Sequence, residues 1–170
     1  MDRVLSSENI TTKYIAWLDM GYFRTLQNKT EYFKLEIPPD FNDSTVAYTG
    51  IKNAASFYSY NKSPWDIIKG NHVWVASGYF VATPEIMRKH VVDFRSATKD
   101  LLAKNMTSTD QQVLASLHGG FLPTKPSVVI QAVTCRRRHL WFCLGLKCLD
   151  AAAMRDWQDD PDNITRIKSA

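Results

Sequence analysis

The alternation of apolar and polar positions divides the chain into short stretches with distinct periods. Tyr14-Ile15-Ala16-Trp17-Leu18 is an aromatic and β-branched run that stops at Asp19 and Gly21, so it reads as a buried strand ending in a turn. Tyr32 to Ile37 alternates and stops at Pro38-Pro39, which predicts a strand with one wet face. Residues 40–71 are rich in Asn, Ser, Tyr and Pro and read mostly as loop, with a short strand near Thr45 to Tyr48. Val73 to Ala76 and Tyr79 to Ala82 read as strand segments interrupted by Ser77-Gly78.

From Thr83 the period changes. Thr83 is suited to the N-cap, Pro84 to the first helical position and Glu85 to the first turn. Ile86, Val91, Phe94, Leu101 and Leu102 form the expected inward stripe of this helix, up to about Lys104. A second helix is expected from Ser108 or Thr109 to Gly119-Gly120. Val128 to Val133 reads as a strand, Leu140 to Leu144 as another, and Ala151 to Trp157 as a weak helix. This order predicts an α/β layer fold with a mixed sheet, one domain over residues 1–158 and a flexible acidic tail over 159–170.

Composition narrows the class. With 45% hydrophobic and 22% charged residues the chain is globular rather than disordered. The net charge of +4 is mild, and part of it sits in Arg136-Arg137-Arg138, so no nucleic-acid partner is expected. No run of about 18 apolar residues is present, so no membrane segment is expected. The first twelve residues lack the apolar core of a signal peptide. Cys135, Cys143 and Cys148 have no zinc spacing and leave two possibilities open, one disulfide plus one thiol or three thiols. Six of eight asparagines, Asn9, Asn28, Asn42, Asn61, Asn105 and Asn163, open an Asn-X-Ser/Thr triplet. Chance gives roughly one, so the excess points to glycosylation in a secretory pathway, with turn chemistry as the alternative. Pro64 after Ser63 weakens the triplet at Asn61.

Asp19 stands at the carboxyl end of an apolar strand, where α/β sheets bind ligands. It reads either as a carboxylate for a divalent cation or as a turn residue capping local amides. Gly78 inside an apolar run signals a bulge or the close approach of a ligand. Asp110 in a helix's first turn reads as a cap or as a carboxylate aimed into a cleft to take a hydroxyl proton. His90 reads as a surface or interface residue, whereas His118 and His139 could complete a metal site from a distance.

In order, these pieces resemble the HtrL/YibB-like family. Lys13 to Arg24 is similar to its aromatic-x-Trp-x-Asp-x-Gly-x-x-Arg segment, and Ala76 to Val81 to its Gly-Gly-Phe-Phe segment. Thr109 to Leu114 is similar to its Asp-Gln/Glu-x-x-Leu segment, and Trp141 to Gly145 to its Trp-x-x-Leu-Gly. The resemblance implies a glycosyltransferase-like protein of GT-A-type fold, using a nucleotide sugar and a glycan or other hydroxyl acceptor. It implies Asp19, with Gly21 and Arg24, on the cofactor side, with manganese or magnesium at Asp19. Gly78, Tyr79, Gln111 and Trp141 would bind substrate and Asp110 would be the catalytic acid or base. Gly21 stands where an Asp-X-Asp pair has its second carboxylate. Twelve residues precede the Lys13 to Arg24 segment, where the family carries a longer region. The expected fold is therefore a GT-A-like half without its first β-α units. A signal anchor upstream would place it in the Golgi or ER lumen or outside the cell.

Overall fold

In the computed structural model of the chain, the described residues are 5, 10–20, 22, 34–38, 40–53, 57–58, 62–106, 109–135 and 140–149, without the side chain of Leu140. The fold is mixed α/β. Strands β1 (Ile15–Leu18), β2 (Thr45–Gly50), β3 (Val75–Ala82) and β4 (Val129–Val133) form one sheet in the order β1-β3-β2-β4. β3 is antiparallel to both β1 and β2, and β2 is parallel to β4. Hence β1, β2 and β4 point their carboxyl ends the same way. Helices α1 (Pro64–Lys69), α2 (Pro84–Leu102), α3 (Asp110–His118) and α4 (Cys143–Lys147) cover the sheet. None among the described residues is long and apolar enough to cross a membrane.

β2 is buried at all six positions, because it pairs on both sides and is covered on both faces. Val46 and Tyr48 pack toward Ile67, Met87 and Leu114 of α1, α2 and α3. Ala47 faces the other way, toward Leu144 of α4. A third apolar cluster joins α2 to α3 through Ala97, Leu101, Val113 and Leu117.

Several expectations need correction. Within residues 40–71 the strand expected near Thr45 to Tyr48 is present and central, but the stretch read as loop also holds α1, which starts where Ser63 caps and Pro64 occupies the first turn. β1 is an edge strand, not a buried one: Trp17 and Leu18 are 42% and 45% exposed because no strand lies beyond them. Tyr32 and Phe33 lie outside the described residues, and Leu35 makes one isolated bridge to Leu149 in place of a strand. Val75 to Ala82 is one strand rather than two.

Leu140 to Phe142 is a 3-10 turn leading into α4, not a strand. An apolar run fits either period, and here tertiary partners decide. The first-turn amide of Leu144 donates to the Thr49 hydroxyl at 3.0 Å, and that of Gly145 to the Tyr22 hydroxyl at 3.3 Å. Cys135–Cys143 is a disulfide, and Cys148 is a buried thiol whose pKa burial pushes up to about 11. The expected helix 151–157, the tail from 159 and Arg136 to His139 lie outside the described residues.

Candidate functional site

A bulge in β3 builds the site. Register between β2 and β3 jumps from Tyr48–Phe80 to Thr49–Ala76, so Ser77, Gly78 and Tyr79 have no place in that ladder. The extra residues reverse which face odd-numbered side chains take. Val75, before the bulge, belongs to the core under α2 and α3, and so do Phe80 and Ala82 after it. Ser77 points toward α3 and donates its hydroxyl proton to Oδ2 of Asp110. Tyr79 points to the opposite core, packing on Tyr22 with ring centroids 5.5 Å apart.

Asp19 is held beside the bulge. Its amide donates to the Gly78 carbonyl at 2.9 Å, and its Oδ1 accepts from the Trp17 indole N–H at 2.7 Å. The Tyr22 amide closes the turn onto the Asp19 carbonyl at 3.1 Å. A Cβ at residue 78 would stand 3.2 Å from the Tyr22 ring and 3.4 Å from Oδ2 of Asp19, so glycine here leaves the carboxylate room.

Asp110 reaches the site because its helix is capped by others. Thr109 and Gln112 form the reciprocal cap, with the Thr109 amide donating to Gln112 Oε1 at 3.2 Å. Asp110 Oδ1 accepts from the Gln111 amide at 3.0 Å, and Oδ2 is aimed at Ser77.

Two hollows meet at Asp19. The inner one, about 330 Å³, lies between the sheet and the α2–α3 pair and is lined by Trp17, Tyr48, Ser77, Phe80, His90, Phe94, Asp110 and Leu114 among others. The outer one, about 380 Å³, is lined by Met20, Tyr22, Gly78, Gln111, Trp141 and Phe142 with Ala76. Asp19 and Asp110, ninety-one positions apart in the chain, therefore face one cleft. Burial, followed by the Asp110 charge, pushes the Tyr48 hydroxyl well above its ordinary pKa.

His90 corrects the sequence reading most sharply. It is 3% exposed, and its Nε2 lies 2.7 Å from the Tyr48 hydroxyl. Burial, helped by His118, lowers its pKa to about 4, so it is neutral at physiological pH. Its Nδ1 has no partner among the described residues. The buried face of α2 is Met87, His90, Asp93, Ala97 and Leu101, while Leu102 is 53% exposed. Counting aliphatic residues alone misses this stripe. The i, i+3 spacing of His90 and Asp93 was the available signal. Asp93 accepts from the Ser127 amide at 2.6 Å and hydroxyl at 2.8 Å, tying α2 to the segment entering β4.

Gly78, Gln111 and Trp141 line the outer hollow. Tyr79 lines neither, because the bulge turns it over and leaves it 3% exposed. Gly21, Arg24, Asn9, Asn28, Asn61 and Asn163 lie outside the described residues. Asn42 and Asn105 are exposed, and each also has local turn chemistry. Asn42 Oδ1 accepts from the Ser44 amide and hydroxyl, and Asn105 adopts a left-handed φ of 54°. Among the described residues no group of three or more His, Cys, Asp or Glu is arranged to hold a metal ion, so His118 completes no such set there.

No curated protein and no solved structure matches the chain. The model of the family HtrL_YibB, described as a bacterial protein of unknown function, matches residues 1–122. That span contains Asp19, the β3 bulge and Asp110, and ends before Trp141. With most of its length matched, the chain belongs to the HtrL_YibB family.

Proposed function

We propose that the cleft binds a sugar, and that the protein transfers a sugar from a nucleotide-sugar donor to a hydroxyl acceptor on a GT-A-like scaffold. One observation carries the reading: Asp19 and Asp110 face a single aromatic-walled cleft. Aromatic side chains offer apolar area to the C–H face of a sugar ring, and carboxylates accept from its hydroxyls.

In this reading Asp110 takes the proton of the acceptor hydroxyl as its oxygen bonds the anomeric carbon and the bond from that carbon to the diphosphate breaks. Ser77 fixes the carboxylate, because its hydroxyl donates to Oδ2. Trp141, 46% exposed on the outer hollow, is the residue best placed to stack on a ring. Asp19 suits a divalent cation only if the ligand supplies the remaining oxygens, since no protein cage surrounds it among the described residues. Such a cation would neutralise the departing diphosphate. The six Asn-X-Ser/Thr triplets support a secretory-pathway location, with Asn42 and Asn105 on exposed surface.

A second reading, non-catalytic carbohydrate binding, is favoured by a different observation: no Lys or Arg among the described residues lines either hollow to receive a diphosphate. Labelled nucleotide sugar, offered with and without manganese and with a panel of hydroxyl acceptors, separates the two. Transfer that falls by about 100-fold or more in Asp110→Asn, with sugar binding retained, supports the enzyme. Sugar binding without any transfer supports the binding module. Unchanged transfer in Asp110→Asn removes Asp110 from the mechanism.

A further inference from the structure

The hydrogen-bond balance of the inner hollow is lopsided. Most of its donors are already engaged with protein partners. The Trp17 indole N–H is given to Asp19, and the Ser77 hydroxyl to Asp110. The Tyr48 hydroxyl and His90 Nε2 share one hydrogen bond, which uses one of the two protons on that pair. Lone pairs remain on both carboxylates, since each ionised group accepts up to about four bonds. A ligand here must therefore donate more than it accepts.

Charge points the same way. Asp19 and Asp110 carry two negative charges at the rim, and no Lys or Arg among the described lining residues offsets them. His90 adds none, because its pKa is held at about 4. It is nine-tenths buried and lines the hollow, with Nδ1 lacking a partner among the described residues. The walls are aromatic: the Trp17 and Phe80 rings lie 6.5 Å apart at 20°, Tyr48 is stacked on Phe80 at 4.7 Å, and Phe94 closes the α2 side. Electron-rich ring faces joined to carboxylates are how proteins recognise ammonium groups.

We infer that the inner hollow takes an amino sugar with its amine free and protonated, the ammonium lying among the aromatic rings between Asp19 and Asp110. This inference rests on the sugar-binding reading above and names the class of sugar. An ammonium donates three hydrogen bonds and accepts none, which matches what the lining leaves open. A hydroxyl in its place would donate once and bring no charge. An acetylated amine would lose the charge that the two carboxylates favour.

The test is titration of the full chain at pH 6.5 with glucosamine, glucose and N-acetylglucosamine, read by isothermal titration calorimetry. An amine of pKa about 8 is charged at that pH. Glucosamine should bind about tenfold tighter than glucose, the equivalent of one desolvated ammonium contact. N-acetylglucosamine should show no such advantage. Asp19→Asn keeps an oxygen for the Trp17 N–H but removes the charge, so it should erase the preference for glucosamine over glucose, with an unchanged circular dichroism spectrum reporting that the variant is folded. Equal binding of the three sugars, or a preference that survives Asp19→Asn, overturns the inference and leaves sugar binding standing. Binding of none of them overturns the sugar-binding reading itself.

Discussion

Acid should destabilise this protein through two buried imidazoles before it reaches the carboxylates. Burial holds His90 and His118 at a pKa of about 4, against 6.5 for an exposed histidine. His90 faces Tyr48 from β2, Phe80 from β3, His118 from α3 and Asp93 on its own helix. Asp93 favours the charged form of both histidines without reversing the effect of burial. Between pH 6.5 and about 4 the unfolded chain takes up protons that the folded chain does not. Stability is therefore complete above 6.5 and falls with pH through that window. The drop in pKa corresponds to roughly 3 kcal/mol for each histidine. Two such losses rival the whole stability of a small domain, about 5–15 kcal/mol. The exposed carboxylates of Asp43, Asp66 and Asp100, all held low by hydrogen bonds, lose their contribution only below about pH 4 and so lie outside the window. Urea midpoints measured from pH 7 to 4.5 should fall steeply, and His90→Gln, neutral at every pH, should remove about half of that slope. A midpoint that stays level over this range, or an NMR titration placing His90 near 6.5, would refute the reasoning.

Other perturbations follow from single contacts. Thr49→Val leaves the Leu144 amide without its buried acceptor, and should lower the denaturant-extrapolated stability by about 1–3 kcal/mol. Replacing Cys135 and Cys143 together by Ser opens a short loop, which should cost about 2–3 kcal/mol more in non-reducing than in reducing buffer, measured against the unsubstituted chain in each. Because that loop carries Trp141, sugar affinity in the outer hollow should drop with it, measurable in the same samples. Gly78→Val should weaken ligand binding and lower the melting temperature together, since the added methyls meet the Asp19 carboxylate and the buried Tyr22 ring.

Local signals in the sequence located α2 and α3 well, because their ends are written in short-range chemistry. Thr83-Pro84 and Thr109 with Gln112 cap within three residues, and the helices begin there. Asp19 and Asp110 were likewise visible, one at a strand's end and the other in a helix's first turn. That they share a cleft is not local information. It depends on β1 pairing antiparallel to β3, and on the β3 bulge turning Ser77 toward α3.

The same bulge explains why Tyr79 was misread. The resemblance implies a substrate-binding role for residue 79, and the unpaired residues of the bulge send it to the other core. His90 was lost for a related reason. A histidine on an inward face has a cost in burial that the sequence cannot balance, since its partner, Tyr48, comes from β2, forty-two positions away. Polar residues of this kind, Ser77, His90 and Asp93, are where one-dimensional patterning and the folded chain part company. Two of the three, Ser77 and His90, line the inner hollow. A core built only for stability has little use for a neutral imidazole with an unpartnered nitrogen next to a carboxylate-rimmed cavity. The departure from the apolar pattern thus falls on the same ground as the proposed amino-sugar pocket, and one substitution tests both readings of it. His90→Phe fills the space and keeps the stripe apolar. It should remove the protonation cost at pH 5, yet weaken glucosamine binding by taking away the partner that orients the Tyr48 hydroxyl at the wall of the hollow. A variant that gains stability without losing glucosamine would make His90 a packing residue and take it out of the pocket's chemistry.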